Sequence, residues 1–332
     1  MPTRAVDLSI VVPAFNEADN LPLLVQELEE VLVPMALRWE LVLVDDGSKD
    51  ATFSVIRQLA GKDGRIRGLR FSRNFGHQIA LTAGLAHSRG RAVVMMDADL
   101  QHPPPVIPLL WKKFAEEGYD VVNTRREDAQ STGWFKRASS RFFYGLMNRL
   151  SEVELPPSGA DFRLLSRRAV DALLQLPEKD RFTRGLVAWI GFRQTQVPYT
   201  ARPRNAGKTS YSVWKMAAFA LDGITSFSSR PLRLPFIIGL VFCLGALVYG
   251  VYAVVRLFQE ATVPGWTSLL IVLLLVGGLN LIFLAIIGEY IGRIFREAKG
   301  RPLYYIMEDT AQPATEAPVR GSMGEDNQNA SP

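Results

Sequence analysis

The sequence predicts an α/β protein with an open, mostly parallel sheet, followed by two C-terminal transmembrane helices. Over the first third of the chain, short apolar runs alternate with amphipathic stretches, as strands and helices do in such a sheet. Two later runs, 234–255 and 261–288, carry no charged side chain, and each exceeds the roughly 20 residues that cross a bilayer core. A pair of buried helices in a soluble core is the alternative, which the length and succession of these runs disfavour.

The predicted strands and helices can be placed in chain order. Residues 8–12 form a continuous apolar run that ends at Pro13, as expected for a buried parallel strand. A helix opens at Asn20 and Pro22, which are favoured residue types at helix starts. Further strands are predicted at 40–44, 66–71, 92–96 and 120–124, with a helix at 79–86.

Basic residues flank the two apolar runs, whereas the connecting segment 256–266 carries one Arg and one Glu. The positive-inside rule therefore predicts that both flanks are cytoplasmic and the connecting hairpin lies outside, in the inner (plasma) membrane. The net charge of +5 does not indicate nucleic acid as a partner, because no nucleic-acid-binding motif is present. The flanking residues are Lys208, Lys215, Arg230 and Arg233 before the first run, and Arg293, Arg296, Lys299 and Arg301 after the second.

The chain divides into four predicted segments. Residues 1–209 form a cytosolic α/β domain, 210–230 a juxtamembrane amphipathic helix, 231–290 a two-helix transmembrane hairpin, and 291–332 a basic cytosolic segment with a tail expected to be disordered from Asp309. A packing helix of the α/β domain is an equal alternative for 210–230. Cys243 is the single cysteine, so neither a disulfide framework nor a cysteine metal site is expected.

Acidic residues end the predicted strands, where ligands of parallel α/β sheets bind. Asp97, Asp99 and Gln101 offer hard oxygen ligands suited to Mg²⁺ or Mn²⁺, although an Asp-x-Asp pair at a strand end also caps turns. Asp46 can accept a hydrogen bond from a base N–H, and Phe15 can lie against the base. No G-x-G-x-x-G or Walker sequence is present, which disfavours ordinary dinucleotide and P-loop sites. The three histidines are predicted to serve in packing or capping, and zinc is not expected.

Four segments together resemble the successive motifs of one enzyme family: SIVVPAFNEADNL, VLVDDGSKDAT, SRNFGHQIALTAGL and VVMMDADLQHPP. They are similar to the inverting family-two glycosyltransferases of GT-A fold (Rossmann-like, mostly parallel), and more narrowly to the dolichol-phosphate mannose synthase and bactoprenol glucosyltransferase branch. The resemblance runs from about residue 8 to residue 301. It implies a metal-dependent catalytic domain in 1–209.

The resemblance also implies roles for individual residues. Asp97, Asp99 and Asp161 would form the catalytic set, with Asp161 on the acceptor side, and Asp97, Asp99 and Gln101 would hold the metal. Family members often carry a lysine where this chain has Ser210, so Lys208 is expected to supply that charge. The nucleotide sugar would contact Pro13, Phe15, Glu17, Val44, Asp46, Asp97, Ala98, Arg125, Arg204 and Lys208.

A phosphate acceptor shapes the expected mechanism. A phosphate monoester is mostly a dianion at neutral pH, so it needs no strong general base, and Asp161 is expected to orient the acceptor or a neighbouring arginine. Asp161→Asn should then cost less activity than Asp99→Asn. Arginines suit phosphate oxygens, and the candidates for binding the lipid phosphate are Arg137, Arg141 and Arg202.

The resulting expectation is transfer of a single sugar from a nucleotide sugar to undecaprenyl or another polyprenyl phosphate, with inversion, at the cytoplasmic membrane face. UDP-glucose is the first donor considered, as in O-antigen or cell-wall modification, with GDP-mannose and a UDP-aminoarabinose as alternatives. A separate flippase and a downstream transferase are expected partners, and a homo-oligomer is possible. A processive synthase is disfavoured because the chain lacks Q-x-x-R-W and a larger helix bundle; a non-catalytic membrane scaffold is the remaining alternative.

Overall fold

The computed structural model describes residues 6–126, 159–200 and 265–311, together with ten helical positions between 238 and 252. Its elements are β1 (Leu8–Ala14), α1 (Asn20–Leu32), β2 (Trp39–Asp45), α2 (Thr52–Lys62), β3 (Ile66–Phe71), α3 (His77–His87), β4 (Ala92–Met95), a 3₁₀ turn (Pro104–Val106), α4 (Ile107–Ala115), β5 (Val121–Arg126), β6 (Gly159–Ser166), α5 (Arg167–Gln175), α6 (Thr183–Trp189), β7 (Gln194–Tyr199), α7 (Trp266–Ala298) and β8 (Ile306–Asp309).

The eight strands form one mostly parallel sheet in the order β7-β5-β6-β4-β1-β2-β3-β8. Strands β4, β1, β2 and β3 run parallel to one another, and β5 runs parallel to β7. Only β6 and β8 run antiparallel to their neighbours. The expected α/β class and mostly parallel sheet are confirmed, and the carboxyl ends of β1, β2 and β4 lie along one edge.

Alternate residues of the central strands point to opposite faces, so both faces of the sheet are buried. Ile10 and Leu41 belong to the apolar layer beneath α1 and α2. Val11 and Val44 belong to the layer beneath α3, which approaches β1 closely because Gly84 has no side chain. A Cβ at Gly84 would lie 2.2 Å from Cγ1 of Val11. This close approach of α3 to β1 positions the helix against the strands whose ends form the candidate site.

Helix α7 is the one described helix that is long and apolar enough to cross a membrane. At 1.5 Å per residue its 33 residues extend about 50 Å. Its candidate membrane span, Leu275–Ala298, contains an 18-residue window with a mean hydropathy of 1.8, and none of that window is buried against the described residues, which argues against a core helix. The predicted second run began at residue 261, but the helix begins at Trp266. The predicted first span and the 210–230 helix lie largely or wholly outside the described residues.

The segment after α7 returns to the sheet, so the expectation of disorder from Asp309 is wrong for residues 309–311, and residues 312–332 lie outside the described residues. Strand β8 pairs with the outer edge of β3, and Asp309 accepts hydrogen bonds from Nε and Nη2 of Arg67 at 3.1 and 2.6 Å. Just before β8, Tyr304 stacks on Phe71 with ring centroids 5.0 Å apart. Paired backbone, ion pair and stacked rings together order residues 304–309, of which only Asp309 belongs to the tail expected to be disordered.

Candidate active site

A cleft of about 220 Å³ opens at the carboxyl edge of β1, β2 and β4. Seven of the residues expected at the site lie around it, because parallel strands end at the same edge of a sheet. Phe15 is 42% exposed at this cleft, so its ring is available to a planar ligand. The lining residues are Pro13, Ala14, Phe15, Glu17, Asp46, His77, Asp97, Ala98 and Asp99.

The remaining predicted residues lie elsewhere or are not described. Val44 is fully buried in β2 and packs under α3, so it does not line the cleft. Arg125 is an exposed residue near the end of β5 and is not part of the cleft lining. Gln101 directly follows the cleft loop. Arg137, Arg141, Arg202, Arg204 and Lys208 lie outside the described residues.

Hydrogen bonds join the two loops that form one wall of the cleft. The backbone N–H of Asn16 donates to Oγ of Ser48 at 2.9 Å, and Lys49 N–H donates to Oδ1 of Asn16 at 3.0 Å. Asn16 has a φ of 57°, a left-handed conformation that asparagine tolerates better than most residues. Glu17 N–H donates to Oγ1 of Thr52 at 2.9 Å. These reciprocal contacts hold the turn after β1 against the turn after β2.

Asp46 secures a third loop. Its carboxylate accepts hydrogen bonds from the backbone N–H of Phe75 at 2.7 Å and of Gly76 at 3.0 Å, where α3 begins. Gly47 lets this loop approach, because a Cβ there would lie 2.5 Å from the carbonyl carbon of Arg73. Burial raises the pKa of Asp46. The sequence suggested a contact with the base alone, whereas the structure gives Asp46 this positioning role at the cleft floor.

Asp97 and Asp99 occupy a turn after β4 that is suited to a cation. Oδ1 of Asp97 is buried and accepts no hydrogen bond within the described residues, although Nε2 of His77 lies 3.3 Å away. Burial raises the pKa of Asp97. Oδ1 of Asp99 accepts the backbone N–H of Gln101 at 3.1 Å, and Leu100 between them has a φ of 61°. A leucine rarely adopts this conformation, and such strain is concentrated at functional sites.

His102 supports the turn that contains Asp97 and Asp99. Its Nδ1 accepts the backbone N–H of Asp97 at 3.0 Å, so that nitrogen carries no proton and the ring is in its Nε2–H form. The ring stacks on Phe162, with centroids 5.1 Å apart, and meets the edge of Tyr199. The expected packing role for His102 is thus confirmed.

Asp161, on β6, is buried between two arginines beside the acidic turn. Its Oδ1 accepts hydrogen bonds from Nη2 of Arg163 at 3.3 Å and Nε of Arg184 at 2.9 Å. Its Oδ2 accepts from Nε2 of Gln78 and Nη2 of Arg184, both at 3.3 Å. Burial alone would raise the pKa of Asp161, but the two guanidinium groups outweigh it and lower the pKa to about 2. The carboxylate is therefore ionised at neutral pH and a poor proton acceptor.

His77 lies between Asp97 and Asp161: its Nε2 lies 3.3 Å from Oδ1 of Asp97 and 3.9 Å from Oδ2 of Asp161. The sequence predicted only packing or capping for His77, although this residue lies within the family-like motif SRNFGHQIALTAGL, which was the available signal for a site role. Gln78 and Arg184 were also missed. No pattern in the sequence links Arg184 to Asp161, because the two are 23 positions apart and meet only through the tertiary fold.

Comparison with known proteins decides the family. The model of glycosyl transferase family 2 matches residues 9–174. The chain belongs to this family. An uncharacterised glycosyltransferase of Synechocystis is 42% identical over 304 residues, covering 91% of this chain and 95% of the relative. The Escherichia coli prophage bactoprenol glucosyl transferase homolog is 40% identical over 301 residues, covering 90% and 98%.

A third relative of this family-2 glycosyltransferase is the bactoprenol glucosyl transferase of Shigella phage SfV. It is 40% identical over 303 residues, covering 91% of this chain and 98% of the relative. Among solved structures, the mannosyltransferase of Pyrobaculum calidifontis in complex with GDP-Man and Mn²⁺ aligns with 90% of this chain and 87% of its own. The TM-score is 0.47 and the identity 17%, too distant for a functional statement. Glycosyl transfer is thus established at the family level.

Proposed function

We propose that this glycosyltransferase moves one sugar from a nucleotide sugar, UDP-glucose in the first instance, onto a polyprenyl phosphate, with inversion at the anomeric carbon. Relatives named bactoprenol glucosyl transferase, aligned over nearly their whole length, support a lipid-phosphate acceptor and a glucosyl donor. Relatives of the same similarity that are named only as uncharacterised glycosyltransferases leave the donor to experiment.

One observation carries the assignment of a phosphate acceptor: the turn with Asp97 and Asp99 lies beside Asp161, whose carboxylate is paired with two arginines. Asp161 accepts hydrogen bonds from Arg163 and Arg184 and has a pKa of about 2, so it does not deprotonate a hydroxyl efficiently. An acceptor that arrives already ionised needs no such base. A phosphate monoester, with a second pKa of about 6, meets that condition.

Asp97, Asp99 and Gln101 fit a divalent cation. Oδ1 of Asp97 is buried without a hydrogen bond among the described residues, and two carboxylates with an amide oxygen are the hard ligands that Mg²⁺ and Mn²⁺ prefer. Among the described residues, no group of three or more His, Cys, Asp or Glu side chains is arranged to hold a metal ion by itself. When bound, the ion would supply charge neutralisation for the departing nucleoside diphosphate. Phe15 and Glu17 would bind the nucleotide.

The proposed membrane topology follows from counting how often the chain crosses the membrane between β7 and β8. Strand β8 pairs with β3, so residues 306–309 lie on the same side of the bilayer as the catalytic sheet. The chain must then cross the membrane an even number of times between β7 and β8. Helix α7 supplies one crossing, and we assign the other to the apolar run 234–255. With a cytoplasmic donor, both termini and the active site would be cytoplasmic, and a separate flippase would carry the product outward.

The deciding experiment offers the purified full-length protein undecaprenyl phosphate with radiolabelled UDP-glucose, GDP-mannose or other UDP-sugars, in Mg²⁺ or Mn²⁺. We expect solvent-extractable label from one donor, lost in Asp99→Asn and retained in Asp171→Asn, a matched change of an exposed aspartate on α5. A β-linked product would establish inversion. Absence of label from every donor, with folded protein and lipid present, would overturn the proposal and favour a scaffold.

A further inference from the structure

We infer that Arg184 recognises the phosphate group of the acceptor, and that the segment 179–184, here called the strap, holds it between the membrane helix and the acidic turn. The inference rests on the proposed function, since it names the residue that would select a phosphorylated lipid. Three independent observations support it: the anchoring of the strap at each of its two ends, and the exposure of the Arg184 guanidinium group.

One end of the strap is fixed to the carboxyl end of α7. The backbone N–H of Lys179 donates to Oε1 of Glu297 at 2.7 Å, and its Nζ donates to the carbonyl oxygen of Glu297 at 3.1 Å. Asp180 accepts hydrogen bonds from Nε and Nη2 of Arg296 at 3.0 and 2.7 Å. Because α7 carries the apolar span, this end of the strap lies where the headgroup of a membrane lipid would be presented.

The other end is fixed inside the active site. Thr183 N–H donates to Oε1 of Gln78 at 3.3 Å, and Nε of Arg184 donates to Oδ1 of Asp161 at 2.9 Å. From Asp161, His77 leads directly to Asp97. Arg184 therefore lies between the membrane helix and the turn at which the donor diphosphate would bind. A lipid phosphate that attacks the donor sugar has to occupy this region.

The exposure of Arg184 matches that ligand. Both arginines contact Asp161, and Arg184 makes the closer contact, with Nε 2.9 Å from Oδ1 and Nη2 3.3 Å from Oδ2, whereas Nη2 of Arg163 lies 3.3 Å from Oδ1. Arg163 is buried, so a ligand that enters the site does not reach it. The Arg184 side chain remains 33% exposed, and a guanidinium group binds phosphate oxygens in a forked geometry. Asp161 affects the reaction indirectly, because it positions Arg184.

The test compares full-length Arg184→Gln and Arg184→Lys with Arg193→Gln, which changes a remote arginine that contacts Glu117 and Tyr119. KM is measured for undecaprenyl phosphate and, separately, for the nucleotide sugar. We expect Arg184→Gln to raise the lipid KM about tenfold or more, as for loss of a charged hydrogen bond, and the donor KM less than twofold. Arg184→Lys should recover part of the loss, and Arg193→Gln should match the wild type.

A binding experiment separates this inference from the proposed function. Undecaprenyl phosphate, undecaprenol and inorganic phosphate are each titrated into the wild type and Arg184→Gln without donor. Preference of the wild type for the phosphorylated lipid, lost in the variant, supports Arg184 even if no sugar is transferred. Sugar transfer by the wild type with an unchanged lipid KM in Arg184→Gln would overturn the inference alone. If Arg184→Gln fails to fold, Arg184→Lys decides: a lipid KM equal to that of the wild type would contradict forked recognition.

Discussion

Arg163 and Asp161 lie two residues apart on β6, with Nη2 of Arg163 3.3 Å from Oδ1 of Asp161 and both side chains buried. Removing one member of a buried pair leaves the other charged and unpaired, which is costly. Asp161 also neutralises Arg184. The carboxylate therefore has a structural as well as a positioning role, and its substitution has two separable consequences.

The first prediction concerns stability. Asp161→Asn should lower the free energy of unfolding by about 3 kcal/mol at neutral pH, because Arg163 stays buried and loses the charge of the Asp161 carboxylate. The pKa of Asp161 is lowered from 3.8 to about 2, so its stabilisation is complete above about pH 4 and is lost as the pH falls toward 2. Thermal unfolding from pH 7 to pH 3 measures this. A constant difference between wild type and variant across that range would contradict it.

The second prediction concerns catalysis, with rates expressed per folded protein. Asp99→Asn should reduce kcat by about a hundredfold, equivalent to about 3 kcal/mol of lost charge stabilisation. Asp161→Asn should cost less, because a phosphate acceptor is already ionised. Binding of Mn²⁺ in the presence of UDP provides a readout other than activity, and we expect it to weaken in Asp99→Asn and persist in Asp161→Asn. A greater loss of kcat in Asp161→Asn would indicate a catalytic base.

The third prediction concerns Gly47, which has a φ of +70°. Gly47→Ala places a Cβ 2.5 Å from the carbonyl carbon of Arg73 and 2.6 Å from the amide nitrogen of Asn74. The loop must move and the hydrogen bonds of Asp46 weaken, so we expect about 1–3 kcal/mol of destabilisation and a higher donor KM. Gly61→Ala is the matched control in α2, where nothing lies within 4 Å. It should raise stability by about 0.5–1 kcal/mol.

The fourth prediction tests β8. The Asp309 carboxylate is 7% exposed and bonded to Arg67, so Asp309→Asn should destabilise the protein by about 1–3 kcal/mol. Glu308→Gln alters a neighbouring carboxylate that is 33% exposed and should change stability by less than about 1 kcal/mol. Thermal unfolding and limited proteolysis of both variants measure the difference. Equal effects would show that β8 is held by its backbone pairing rather than by the buried ion pair.

The convergence of the strand ends could be predicted from the sequence, because parallel strands end at the same edge of a sheet. Residues that end β1, β2 and β4 must share an edge, so Phe15, Asp46 and Asp97 could be brought together from strand order alone. Contacts that depend on tertiary packing were not accessible. Asp46 bonds to the amides of a distant loop, and Arg184 reaches Asp161 from another helix.

Strand β8 was missed for a different reason. Its four residues, Ile-Met-Glu-Asp, are too few to show the alternation typical of a strand, so the sequence predicts only a cytosolic segment here. Besides its backbone pairing with β3, the strand forms ion pairs with arginines on β3 and α2, and no local pattern reveals these partners. The apolar run of α7 was visible from its composition, but the beginning at Trp266 was not, because hydropathy does not mark where a helix starts.

The position of β8 also constrains how the molecule is made. During synthesis β3 emerges early, whereas β8 emerges only after all of α7 has been translated. Until then the outer backbone of β3 has no strand partner, and an unpaired edge is a template for another nascent chain. The sheet is therefore completed only after α7 has been made. With α7 in the bilayer, as we propose, insertion of that helix and closure of the sheet become consecutive steps of one maturation, and a ribosome that stalls within α7 leaves a sheet of seven described strands with an exposed edge.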